Sequence, residues 1–300
     1  MRSPLKKLLV ATDFSSTSRS ALRFARDLAA KLEGSIELVN VSKDPRAETW
    51  VTLSGNSSDH AEGITKAARS ELARLRDEVL VSEDLADAPL HARVGNVSEQ
   101  VLAVAAKAGA DVIVCGATGT TRLKALFFGA TASRLVRQSS LPVLIVPDAE
   151  VDSPPDVVLA PIDMSETSRL SLKYAATIAA ACGAELVVLH ATIAPPAAGD
   201  PFIGHLAKDP VAWRAELDAK IEAFVSETLP EGSDFRVLVH TERPAEAILA
   251  AARDTGADLI CMGTHGRAGI ARFQLGNTAE RLLRHAPCPV LTINPRGVAT

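Results

Sequence analysis

Apolar residues along this chain fall into two alternating arrangements. Short, near-continuous runs of Val, Ile and Leu, such as Leu8-Leu-Val and Val112-Ile-Val, have the pattern of strands covered on both faces. Between them lie longer stretches with apolar residues three or four apart. Ala21, Ala25, Leu28, Ala29 and Leu32 share one helical stripe. The first half therefore reads as strand 6–12, helix 16–32, strand 35–41, helix about 60–80, strand 90–94, helix 97–108, strand 111–115, helix 129–139 and strand 142–146. The second half repeats the order, with strands near 157–161, 185–191, 235–240, 258–262 and 289–293 and helices between. Ser15 and Ser165 stand where they can cap the first helix of each half. Strict alternation of strand and helix predicts an α/β fold with parallel sheets and right-handed crossovers.

The repetition extends to single residues. Gly116 and Gly119 are followed, after nine intervening residues, by Gly129; Gly263, Gly266 and Gly276 have the same spacing 147 positions on. Each cluster ends an apolar run. Each half also opens with an apolar run and an aspartate, Asp13 and Asp163, 150 positions apart. The chain thus reads as two tandem domains, 1–148 and 157–300, joined by a proline-containing linker at 149–156. Two segments depart from the rhythm, Ser42–Ser58 and Thr192–Lys208. Both follow a second strand and differ in sequence, as loops beside a cleft or tolerated surface insertions do.

Composition narrows the function. Hydrophobic residues make up 47% of the chain but aromatics only 4%, which suits small-residue helices packed on an aliphatic sheet. Net charge is −4 with no basic tract, so nucleic acid is not an expected partner. No apolar stretch approaches a membrane span, and the opening run is too short for a signal peptide; a cytoplasmic location is expected. The four cysteines, Cys115, Cys182, Cys261 and Cys288, lack metal-ligand spacing and read as reduced core thiols.

In an open parallel sheet, ligands bind beyond the carboxyl ends of strands where strand order reverses. Asp13 ends the first strand and Gly116 the fourth. A carboxylate there can accept hydrogen bonds from vicinal hydroxyls such as those of ribose; the alternative is a turn or helix-capping aspartate. The glycines allow close backbone approach, and Gly129 and Gly276 precede helices whose free N–H groups attract anions. A loop that only turned the chain would not need one length in both halves. A Walker loop, a dinucleotide fingerprint after the first strand, a GxSxG elbow and a metal-ligand cluster are all missing from the sequence.

These motifs resemble the ATP-binding branch of the universal stress protein family. Gly116-x2-Gly119-x9-Gly129 and Gly263-x2-Gly266-x9-Gly276 are similar to its G-x2-G-x9-G-[S/T] signature, and Thr12-Asp13-Phe-Ser15 and Ile162-Asp163-Met-Ser165 to its opening motif. The resemblance covers nearly the whole chain. It implies, for each domain, a doubly wound five-stranded parallel sheet of order 3-2-1-4-5. It also implies an adenine nucleotide in each cleft: ATP, or ADP or AMP, with Mg2+ accompanying the phosphates. By resemblance Asp13 and Asp163 hold the ribose, Val41 and Ala191 lie against adenine, and the six glycines approach the phosphates.

The signature departs from the family at its last position, Ala130 and Asn277 in place of Ser or Thr; Thr131 and Thr278 follow and can substitute. Asn277 keeps a hydrogen-bond donor and Ala130 does not. Arg122, Lys124, Arg267 and Arg272 could neutralise phosphates or stand solvated, and His265 could titrate or simply belong to the loop. No nucleophile or placed general base emerges, so a nucleotide-dependent sensor with an unidentified regulatory protein partner is expected rather than an enzyme. The rivals are an interaction module with empty clefts and a slow ATPase or adenylating enzyme. The last strands, 142–146 and 289–293, are apolar edges that need a partner, and pairing with each other would supply it.

Overall fold

A computed structural model describes residues 5–43, 57–81, 85–119, 129–148, 151, 154–192, 209–265 and 275–294. Most of the two long loops, at 44–56 and 193–208, lies outside the described residues, as do Gly266 and the loop cations Arg122, Lys124, Arg267 and Arg272.

The first half contains β1 (Lys7–Ala11), α1 (Ser16–Leu32), β2 (Ser35–Ser42), α2 (Ser57–Val79), β3 (Leu90–Val94), α3 (Val97–Ala108), β4 (Val112–Gly116), α4 (Ala130–Gln138) and β5 (Val143–Val146). The second contains β6 (Val157–Ile162), α5 (Glu166–Cys182), β7 (Glu185–Ala191), α6 (Pro210–Thr228), β8 (Arg236–His240), α7 (Pro244–Thr255), β9 (Leu259–Gly263), α8 (Asn277–His285) and β10 (Val290–Ile293). Each half is a parallel sheet of order 3-2-1-4-5, so strand order reverses at β1/β4 and again at β6/β9. β5 and β10 lie antiparallel, with Leu144 opposite Leu291, and merge the halves into one ten-stranded sheet.

Helices cover both faces. The α1, α2, α5 and α6 side is filled by Phe24, Leu28, Leu72, Leu172, Ile178 and Phe224, and the α3, α4, α7 and α8 side by Val101, Leu135, Ile248 and Leu282. The stripe on α1 is wholly buried. At about 1.5–3 kcal/mol for each fully buried large aliphatic or aromatic side chain, these layers supply the main driving force for the fold. Ser15 and Ser165 cap α1 and α5, each Oγ accepting from the backbone N of the residue three on, at 3.2 Å.

The halves differ under α3. Lys7, Glu37 and His91 form a row across β1, β2 and β3: His91 Nε2 lies 2.7 Å from Glu37 Oε2 and Lys7 Nζ 3.5 Å from Glu37 Oε1. Lys7 Nζ also donates to Ala108 O at 2.8 Å, the end of α3. The residues in the same register of the second sheet are Val157, Val187 and Leu238, all packed in the apolar layer. Another difference falls at the first helix ends. Gly183 ends α5 with a left-handed φ of 71°, whereas Glu33 ends α1 at φ 50°.

Candidate functional site

The carboxyl ends of β1 and β6 run into the same tight turn. Asp13 Oδ1 accepts from Ser15 N at 3.1 Å and Ser15 Oγ at 2.5 Å; Asp163 Oδ1 accepts from Ser165 N at 3.0 Å and Ser165 Oγ at 2.5 Å. The residue between aspartate and serine is forced to positive φ, 65° at Phe14 and 63° at Met164. Left-handed backbone costs a non-glycine residue about 1–2 kcal/mol, so the surrounding contacts must hold it. Both bulky side chains pack against the core. Thr12 Oγ1 also accepts from Phe14 N at 3.0 Å.

A further pair of polar residues fixes this turn from the neighbouring strand. Asn40 Nδ2 donates to Thr12 O at 2.8 Å, and His190 Nδ1 donates to Ile162 O at 2.9 Å. Both side chains are buried, and both sit at the same place in the second strand of their half. Sequence reasoning missed them. The available signal was a lone polar residue at matching positions inside two apolar runs.

The glycines have distinct local reasons. A Cβ on Gly116 would lie 2.8 Å from Thr17 Cγ2, and one on Gly263 3.0 Å from Thr167 Cβ, so these two let the start of α1 and α5 pack on the strand end. A Cβ on Gly119 would stand 2.7 Å from Asp13 Oδ2, which places this loop directly beside the carboxylate. Gly129 N donates to Ala117 O at 2.9 Å and Gly276 N to Thr264 O at 3.2 Å. A Cβ at either position would crowd that same carbonyl, at 3.0 and 2.9 Å. These hydrogen bonds tie each closing glycine back to the residue just past the strand end.

Beyond the closing glycines, α4 and α8 begin without a side-chain cap. Their first N–H groups and the positive end of the helix dipole therefore face outward, an arrangement suited to an anion. Ala130, Thr131 and Asn277 are exposed there, and Thr278 is half-buried. In the second half Asp163, Ala191, Gly263, Gly276, Asn277 and Thr278 line one cavity of about 180 Å³, with Pro244 and Ile248 of α7 contributing an apolar wall. His265 lines it too; its Nδ1 meets Thr264 Oγ1 at 2.9 Å, and its buried Nε2 has no hydrogen-bond partner among the described residues. In the first half Val41 is half-buried at the end of β2, against the layer that holds α3 and α4.

The thiols are poor nucleophiles. Burial, reinforced by the Asp13 charge, pushes Cys115 up to about 12, and burial raises Cys261 as well. Cys288 is pushed to about 12 by burial and then Asp258, and half-buried Cys182 is raised chiefly by burial. All four cysteines are free. Among the described residues no three His, Cys, Asp or Glu side chains are grouped to hold a metal ion. No described helix is long and apolar enough to cross a membrane.

The model of the universal stress protein family matches residues 4–147 and again 155–294. A universal stress protein of Mycolicibacterium smegmatis is 27% identical over 299 residues, 96% of this chain and 97% of that one. One from Thermus aquaticus is 36% identical over 137 residues, 45% of this chain and 96% of its own length. Among solved structures, a universal stress protein from Archaeoglobus fulgidus superposes with a TM-score of 0.72 at 21% identity, covering 98% of this chain and 99% of that one. Both halves carry the family's fold as well as its sequence pattern, and the chain belongs to the universal stress protein family as two tandem domains.

Proposed function

We propose that each domain holds an adenine nucleotide at the carboxyl ends of its first and fourth strands, and that the chain works as a cytoplasmic nucleotide-dependent regulator in the stress response rather than by turnover. The observation that carries this reading is the duplication of one constellation. A turn-held carboxylate, a glycine-closed loop and an uncapped helix start recur in both halves. A turn that merely joins strand to helix has no need of an uncapped helix start facing the same space as a carboxylate, as in the second half.

In this reading Asp13 and Asp163 accept from ribose hydroxyls, and Val41 and Ala191 lie against adenine. The backbone around Gly116, Gly119 and Gly129, and around Gly263, Gly266 and Gly276, meets the phosphates. Thr131, Asn277 and Thr278 add donors there, and Mg2+ would accompany the phosphates. Domains spanning 1–148 and 157–300 form an intramolecular pair through β5 and β10. Mass spectrometry of ligand released from denatured, freshly purified protein, followed by calorimetric titration with ATP, ADP and AMP, tests the proposal. Two adenine-nucleotide sites per chain are expected. Protein that neither retains nor binds any adenine nucleotide would overturn it and favour an interaction module.

A further inference from the structure

Asn294 lies just beyond β10, in the second half, yet its side chain serves a helix of the first. It is 6% exposed. Its Nδ2 donates to Val136 O at 3.1 Å and to Arg137 O at 3.2 Å, both in the last turn of α4. Carbonyls at a helix end have no partner within the helix, so this amide supplies what α4 lacks. The opposite end of the same short helix, about 13 Å away, is the uncapped start at Ala130, beside the proposed first cleft.

The backbone preceding Asn294 is tied to the second cleft. Ile293 O accepts from Thr264 N at 2.9 Å and from Thr264 Oγ1 at 3.2 Å. Thr264 O in turn accepts from Gly276 N, the bond that closes the second cleft's loop. One peptide unit therefore separates the anchor of the second cleft from the clamp on α4. The matching place in the first half is built differently. Val146 O accepts from Ala117 N at 2.8 Å, but Ala117 has no hydroxyl, and the next residue is Pro147, which has no amide to offer α8. At this matched position the clamp runs only from the second half to the first.

From this we infer that Asn294 is a positioning residue for the first cleft, which is complete only with the second domain in place, and that through it occupancy of the second cleft changes affinity at the first. The inference rests on the proposed nucleotide sites. An equilibrium coupling of this kind acts equally in both directions, even though its structural link is single.

The test uses the full-length chain with ATP as the probe. First-cleft affinity is measured in an Asp163→Ala background and second-cleft affinity in an Asp13→Ala background, each with Asn294, Asn294→Ala or Asn294→Leu. Leu keeps the side-chain volume without the donors, should Ala destabilise the fold. Amide hydrogen exchange at 130–133 is followed in the same proteins, with and without ATP in the second cleft. The expected result is a loss of about threefold to tenfold confined to the first cleft. Faster exchange at the start of α4 should accompany it, and that exchange should stop responding to second-cleft ligand. Unchanged first-cleft affinity, an equal loss at both clefts, or exchange at 130–133 that still tracks second-cleft occupancy would overturn the inference. Failure of the wild-type chain to bind ATP would instead overturn the nucleotide reading beneath it.

Discussion

Asp163 is expected to carry two separable roles, and two substitutions divide them. Its Oδ1 holds the turn through Ser165 N and Oγ, at 3.0 and 2.5 Å, while the carboxylate as a whole lines the cavity. Asp163→Ala removes both. Losing two hydrogen bonds to a half-buried charged acceptor, next to Met164 at φ 63°, should cost about 1–2 kcal/mol of stability. For a domain of this size that lowers the ligand-free Tm by about 2–8 °C. Asp163→Asn keeps an acceptor in place for Ser165 and should retain most of that stability. Nucleotide binding should respond differently. Ribose hydroxyls donating to a carboxylate contribute about 1.5–3 kcal/mol, of which the neutral amide keeps a part. We expect about tenfold weaker ATP binding at the second cleft for Asn and about a hundredfold for Ala. Differential scanning calorimetry without ligand and titration calorimetry with ATP read the two roles independently. Wild-type affinity in Asp163→Asn together with a lowered Tm in Asp163→Ala would refute the ligand role and leave a turn aspartate.

Three other outcomes follow from features of the two halves. Ala130→Ser should tighten ATP at the first cleft by up to about 1 kcal/mol, because a hydroxyl is added at an exposed, uncapped helix start; site-resolved titration with no change would shift the phosphate contact to Thr131. Removing Glu37 alone, as Glu37→Val, should destabilise the protein by about 1–2 kcal/mol, because partly exposed Lys7 and His91 lose their shared carboxylate while Lys7 keeps its bond to Ala108 O. The triple change to Val, Val and Leu at 7, 37 and 91, the trio already present in the second half, should recover most of that in urea denaturation; a triple variant weaker than the single would contradict this. Glu33→Gly should raise stability by about 0.5–1 kcal/mol by relieving the left-handed end of α1, since the exposed pair with Lys6 at 3.7 Å offers little in exchange. A lower denaturation midpoint would count against that account.

Much of this architecture could be read from residue order because its signals are local. Runs such as Val112-Ile-Val announce strands buried on both faces, and the stripe from Ala21 to Leu32 is a helix face that the structure buries entirely. The strand order 3-2-1-4-5 came from resemblance, since periodicity says nothing of which strands are neighbours. The recurrence of Asp13 and the glycines set them at the carboxyl ends of the first and fourth strands, and there the structure has Asp13 Oδ2 beside Gly119. What stayed hidden depends on approach in space. Gly116 needs no side chain because Thr17, about a hundred residues earlier, packs on it. Asn40 and His190 each interrupt an apolar run at matching positions, but only their carbonyl partners at the end of the neighbouring strand give them a role. Lys7, Glu37 and His91 come from three separate strands, and Asn294 acts on a helix 157 residues or more away. Pairings of that kind leave no spacing to find.

The antiparallel seam between β5 and β10 also changes how the protein responds to its own abundance. Two separate chains joined along such a seam would come apart on dilution, and their paired fraction would follow expression level. Here the partner strand belongs to the same chain, and a tether of this length keeps it at an effective concentration on the order of millimolar. Within one molecule the second cleft is therefore always present beside the first, in fixed one-to-one proportion. Any property that needs both clefts is therefore a property of each single copy, however scarce that copy is.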